Sequence, residues 1–140
     1  MIKKNETILY FHDFMTNEDD IRNEIDDFED QFEKNGFEIG EIIETEEAPF
    51  EKFGSNKAYD ILLFDWGGAS MGNSIMRHYC QHILDEAIEK PSRYYIMVSS
   101  FTLEAMRELL YSIKNSGIEK PFNVFLTIED YCNYEKSILK

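Results

Sequence analysis

Ile61-Leu62-Leu63-Phe64-Asp65-Trp66 is a continuous apolar run closed by an acid and an aromatic residue. A strand with one face in water alternates apolar and polar residues, whereas a strand covered on both faces is apolar throughout. The run is therefore predicted to be an interior strand of a sheet with helices on both sides. Working outward, Thr7–Phe11 (TILYF), Arg93–Ser99 (RYYIMVS) and Phe122–Ile128 share this character. Phe37–Glu44 (FEIGEIIE) is less regular, with Ile39, Ile42 and Ile43 as its expected buried members.

Helical patterns separate these runs. Thr16 or Asn17 can cap a helix whose first turn carries Glu18, Asp19 and Asp20, acids that suit the positive end of a helix dipole. Ile21, Ile25, Phe28 and Phe32 follow at helical spacing, and Asn35-Gly36 closes the segment. Asn73 or Ser74 opens a second helix that runs to Lys90, ahead of Pro91, with Ile75, Tyr79, Ile83 and Ala87 on one stripe. Thr102 caps a third, with Met106, Leu109, Leu110 and Ile113 inward; Glu129–Leu139 is the closing helix, with Tyr131, Tyr134 and Ile138 inward. Strands alternating with helices define an α/β protein with a parallel sheet. Right-handed crossovers lead to a flavodoxin-like three-layer sandwich, five parallel strands in the order 2-1-3-4-5, with residues 1–140 as one domain.

The 28 acids and 14 basic residues leave a net charge of −14. The excess is local: residues 17–51 hold 15 acids against Arg22 and Lys34. Such charge opposes direct binding of nucleic acid or anionic membrane through a basic surface. A solvated face accounts for it, and so does a docking surface for a basic protein partner, formed by Glu18, Asp19, Asp26, Asp27, Asp30 and Glu33. Lys3-Lys4 is followed by Asn5-Glu6 and only a short apolar run, unlike a secretory leader. Cys80 and Cys132 have no paired or metal-ligand spacing, so a reduced, cytoplasmic location is expected.

Open parallel sheets bind ligands outside the carboxyl ends of their strands, where strand order reverses. That rule gathers His12 and Asp13, Asp65, and Ser99 with Ser100. Asp13 and Asp65 are the candidate ligands of a hard cation, Mg²⁺, which prefers oxygen donors; strand-end polar residues meeting water are the simpler account. Asp65-Trp66, with Met71 six positions on in a loop leading to a helix, resembles the phosphoacceptor loop of receiver domains of bacterial response regulators. The resemblance spans the five-strand alternation from Thr7 to the last helix. It implies a phosphoacceptor at Asp65, a metal ligand at Asp13 and a switch hydroxyl at Ser99. Receivers carry two adjacent acids after strand one, where this chain has His12-Asp13. They also carry a Lys at the end of strand five, where this chain reads Leu126-Thr127-Ile128-Glu129-Asp130, and Gly67-Gly68 replaces a Met-Pro neighbourhood. These departures imply a degenerate receiver without phosphotransfer.

His78 and His82 are four residues apart, a spacing that two metal ligands can use, but the apolar stripe turns both toward solvent with Asp85 and Glu89. Gly68-Ala69-Ser70-Met71-Gly72 spells a nucleophile-elbow pattern, yet no histidine follows His82 to complete hydrolase order. Gly67, Gly68 and Gly72 could cradle an anion or simply form a turn. The aromatic residues Tyr94, Tyr95, Phe101, Phe122 and Phe125 follow strand positions and are expected mostly in the core. No residue is assigned as catalytic. Three functions remain: a receiver-like regulatory module docking a protein partner, with a homodimer as candidate assembly; an acidic nucleic-acid mimic of the anti-restriction or anti-CRISPR kind, acting through residues 17–51; and a small Mg²⁺-dependent hydrolase or transferase using Asp13 and Asp65.

Overall fold

The computed structural model describes residues 1–12, 18–45, 49–50, 54–55, 57–64, 75–98, 111, 114 and 120–139, with backbone alone for 75–81. In chain order the elements are β1 (Ile2–Lys3), β2 (Ile8–Phe11), α1 (Glu18–Lys34), β3 (Phe37–Glu38), β4 (Ile42–Thr45), β5 (Ile61–Phe64), α2 (Ile75–Glu89), β6 (Tyr94–Met97), β7 (Val124–Phe125) and α3 (Ile128–Ile138). Five strands form an all-parallel sheet in the spatial order β4-β2-β5-β6-β7. In this sheet β4 is one edge, beside β2, and β7 is the other edge, beside β6. β1 and β3 make a separate parallel pair, Ile2 opposite Phe37.

Every residue of β2 and β5 is buried, as an unbroken apolar run requires. Alternate side chains leave opposite faces of the sheet. Ile8, Tyr10, Ile61, Leu63, Ile96 and Phe125 pack with Phe28 and Phe32 of α1 and with Ile128, Tyr131 and Cys132 of α3. Leu9, Phe11, Leu62, Phe64, Tyr95 and Met97 pack with Ile83, Leu84 and Ala87 of α2, and with Phe50 and Tyr59. The described helices thus form the outer layers of an α/β/α arrangement. The Cys132 thiol, buried in this core, is pushed up to about 12 by desolvation, reinforced by Glu135 and Glu129 and opposed by Lys136 and Lys4.

Several expectations need correction. Phe37–Glu44 is two strands, because Phe37–Glu38 pairs with β1 while Ile42–Thr45 pairs with β2. Ile43 is not buried but half exposed, since β4 is an edge strand and no described helix covers that position. The last strand is only Val124–Phe125. Pro121 accepts the Val124 N–H in a turn before it, and Thr127 starts the next helix after it by accepting the Asp130 N–H at 3.0 Å. Ile128 consequently belongs to α3, and Ile138 and Phe122 are exposed rather than inward. Cys132 and Glu135 take the inward positions instead. His82 is half-buried, not solvent-facing. Phe101, the helix capped by Thr102 and the 67–72 loop lie outside the described residues.

Gly36 ends α1 at φ +88°, its N–H donating to the Glu33 carbonyl at 2.9 Å. A Cβ there would have room, with Lys136 Cε 3.8 Å away, so the conformation rather than a clash demands glycine. Gly36→Ala is expected to lower unfolding free energy by about 1–2 kcal/mol, read from the urea midpoint at unchanged slope. An unchanged midpoint would show that the left-handed position is not required.

Below the sheet, at the amino ends of β5 and β6, a buried carboxylate organises the packing. Glu86 Oε1 accepts from the phenols of Tyr59 and Tyr95, the latter at 3.1 Å, and from Arg93 Nη1 at 3.0 Å. The Arg93 guanidinium lies 4.2 Å from the Tyr59 ring centre. Asn123 Nδ2 donates to the carbonyls of Ala87 and Arg93 at 2.9 and 2.8 Å, tying the α2–β6 turn to β7. These polar groups sit at the end of the sheet opposite the expected site and act as structural ties.

Candidate acidic docking face and strand-end site

Sheet order reverses between β2 and β5, so the crevice expected for a ligand opens beyond Phe11 and Phe64. Asp13, Asp65 and Ser99, the expected strand-end residues, lie outside the described residues, as do Ser70 and Met71. His12 alone of that group is described, and it does not meet water. It is fully buried, with Nε2 2.7 Å from Glu44 Oε2. A carboxylate partner requires Nε2 to carry the hydrogen, while Nδ1 is buried without a hydrogen-bond partner. Register explains the pairing: Glu44 stands opposite Tyr10 across β2 and β4, two residues before His12.

All six carboxylates expected to form the docking face, Glu18, Asp19, Asp26, Asp27, Asp30 and Glu33, are exposed on α1. α1 buries Ile21, Phe28 and Phe32, and that single apolar stripe forces the acids outward. Asp19, Asp26, Asp30 and Glu33 recur at intervals of seven, four and three, which keeps them on one outward stripe. Among the described residues, no Lys, Arg or His lies within ion-pair distance of Glu18, Asp26, Asp27, Asp30 or Glu33.

Three of these acids line one or other of two clefts. Glu18, Asp26 and Glu29 join Glu41 and Glu44 in a groove of about 530 Å³ between α1 and β4, where Arg22 is the one lining cation among the described residues. Burial, followed by the nearby carboxylates of Asp26, Asp30 and Glu41, holds the Glu29 carboxyl above the usual range. Asp27 turns instead to a cleft of about 320 Å³ with Glu24, Phe28, Val98 and Thr127. There its Oδ2 accepts from Gln31 Nε2 at 2.8 Å, and Glu24 accepts from the Tyr10 phenol. Sequence reasoning missed Glu29, Glu41 and Glu44 as partners of Asp26. An acid at every third or fourth position of α1 signals the helical stripe, but only the β2–β4 register brings Glu41 and Glu44 beside it.

Among the described residues, no cluster of three or more His, Cys, Asp or Glu side chains is placed to hold a metal ion. No described helix is long and apolar enough to cross a membrane. No protein-family model, curated protein or solved structure matches this chain.

Proposed function

We propose that this chain is a non-enzymatic, receiver-like interaction module of flavodoxin-like layout. It docks a protein partner with a basic surface through α1 and the β4 margin, without phosphotransfer. The observation that carries this reading is the exposure of the α1 carboxylates with no described cation in ion-pair range of Asp26, Asp27 or Asp30. Carboxylates left solvated and mutually repelling on one stripe gain most when a cationic surface approaches. The departure from the receiver pattern at strand five is supported by a local role for its acids. Glu129 and Asp130 occupy the first turn of α3, where the helix dipole favours negative charge.

A test is capture of partners from host lysate with the native chain and with the triple variant Asp26→Lys, Asp27→Lys, Asp30→Lys. The expected partner is retained at low salt, falls away between about 50 and 500 mM, and is reduced more than about tenfold by the variant. A set of partners unchanged by charge reversal would end the proposal. Incubation with a small phosphodonor and Mg²⁺ should add no mass of about 80 Da, the signature of one phosphoryl group. A stable adduct lost in Asp65→Asn would show that phosphotransfer was retained.

A second reading is favoured by the placement of these acids on successive turns of one helix, about 5.4 Å apart along its axis. That repeat presents a row of negative charge to the basic, nucleic-acid-binding groove of another protein, the behaviour of an acidic mimic. Duplex DNA or RNA would then compete for the same partner, and failure to compete would leave the docking reading alone.

A further inference from the structure

The two edges of the main sheet are finished differently. In β7, the groups of Val124 turned away from β6 are both occupied: the N–H donates to the Pro121 carbonyl at 3.2 Å, and the carbonyl accepts from Lys120 Nζ at 2.5 Å. The His12 N–H donates to the Thr45 carbonyl, so in a parallel ladder Ile43 and Thr45 face β2 and the main-chain groups of Ile42 and Glu44 face outward. Those outward groups have no partner among the described residues. The side chain beside them is also unfinished, with Ile43 48% exposed.

Edge strands invite pairing and are normally blunted by charge, a bulge or a cover. Here the charge is predominantly acidic, with Arg22 in the groove and Lys57, which donates to Thr45 Oγ1, as the described cations near it. Glu41 and Glu44 flank the edge, and Glu18, Asp26 and Glu29 stand across the groove beside it. A second copy of this chain, with its net charge of −14, would meet the edge with like charge. The arrangement repels self-pairing and admits a basic strand.

We infer that β4 is a strand-addition site for an extended basic segment of the partner. Resting on the docking reading above, the inference names how the partner binds. The incoming chain pairs its backbone with the outward N–H and C=O groups of Ile42 and Glu44. Its side chains alternate, so Lys or Arg at every second position turn toward Asp26, Glu29 and Glu44, while the intervening apolar residues cover Ile43. Glu18 and Glu29 are eleven residues apart on α1, roughly 16 Å along the helix, which an extended chain covers in about five residues. The ligand class is therefore a short β-strand peptide with alternating basic and apolar residues.

The test uses the full chain and a fluorescein-labelled Lys-Val-Lys-Val-Lys-Val peptide. Two analogues are N-methylated, one at the lysine amides and one at the valine amides. Only one of them keeps the N–H groups that face β4 when the lysines turn to α1. Anisotropy titration is expected to show binding of the parent peptide and more than about tenfold loss for one analogue only, the effect of losing backbone hydrogen bonds. Hydrogen exchange should show the amides of Ile42 and Glu44 protected on binding. Equal affinity for all three peptides, with those amides unprotected, would overturn strand addition and leave the acidic docking face standing. No binding of any basic peptide at low salt would overturn both. Sedimentation of the chain alone is expected to show a monomer; a dimer that protects the same two amides would assign the edge to a second copy and overturn the inference.

Discussion

Glu86→Ala is expected to destabilise the protein by about 3–5 kcal/mol, the range for removing one partner of a buried ionic cluster. Its carboxylate accepts from two phenols and a guanidinium, and Glu86, Tyr59 and Tyr95 are each less than a tenth exposed. Truncation leaves the Arg93 charge, largely shielded from water and packed on the Tyr59 ring, without its counter-ion. It also opens space against Tyr95, which belongs to the α2 side of the core. For a chain of this length the loss corresponds to a fall in Tm of roughly 10–15 °C. Glu86→Gln retains an acceptor oxygen and should cost less, about 1–2 kcal/mol. Urea unfolding of both variants measures the pair, and the glutamine variant supplies a graded result should the alanine variant not fold. Equal stability of all three proteins would mean that the carboxylate is not the tie between α2 and the sheet.

The second large effect is expected in alkali. Desolvation pushes the phenols of Tyr59, Tyr95 and Tyr131 well above the ordinary tyrosine range. Further causes act on each. Tyr59 is raised by Tyr95 and Glu86, Tyr131 by Glu135, and Tyr95 by Glu86 against an opposing hydrogen bond with Tyr59. A phenol with a raised folded-state value holds its proton longer in the folded protein than in the unfolded chain. Its contribution is complete below the unfolded value near 10 and is lost as pH rises above it. Three such groups together remove up to about 4 kcal/mol per pH unit, enough to unfold an ordinary domain within roughly two units above pH 10. Absorbance at about 295 nm, the tyrosinate band, should show part of the eight tyrosines ionising early and the rest in a cooperative step. That step should coincide with loss of far-UV circular dichroism. Smooth titration of all eight with the helical signal intact would contradict the buried placement of these rings.

Much of the architecture was readable because burial on two faces leaves a local trace. Ile61–Phe64 and Ile8–Phe11 are apolar at every position, and their neighbours in the sheet follow from that. The α1 stripe of Ile21, Phe28 and Phe32, and the acids it drives outward, were readable for the same reason. Strand ends were not. Residues 122–128 have strand-like composition throughout, yet Thr127 captures the Asp130 N–H and converts the last of them to helix. A hydrogen bond between two polar groups outweighed the propensity of Ile128.

The α1 half of the acidic site was likewise open to sequence reading, whereas its β4 half was not. Asp26, Asp27 and Asp30 look equivalent in the sequence, but Asp26 faces β4 while Asp27 faces the β6–β7 side. Rotation by one helical position places neighbouring residues about 100° apart, and only the packed neighbours decide what each one meets. His12 shows the same division. Composition placed a polar residue at a strand end, and the register of β2 with β4 buried it against Glu44.

By itself, the sequence determined the layers: continuous apolar runs must lie inside, and a helix with one apolar stripe must turn its acids to water. Tertiary structure alone decided which sheet edge is finished. Lys120 and the Pro121 turn close β7, while the outward groups of Ile42 and Glu44 have no partner among the described residues at β4. Main-chain hydrogen bonding is common to every residue and leaves no mark in composition, so its satisfaction depends on what the fold brings alongside.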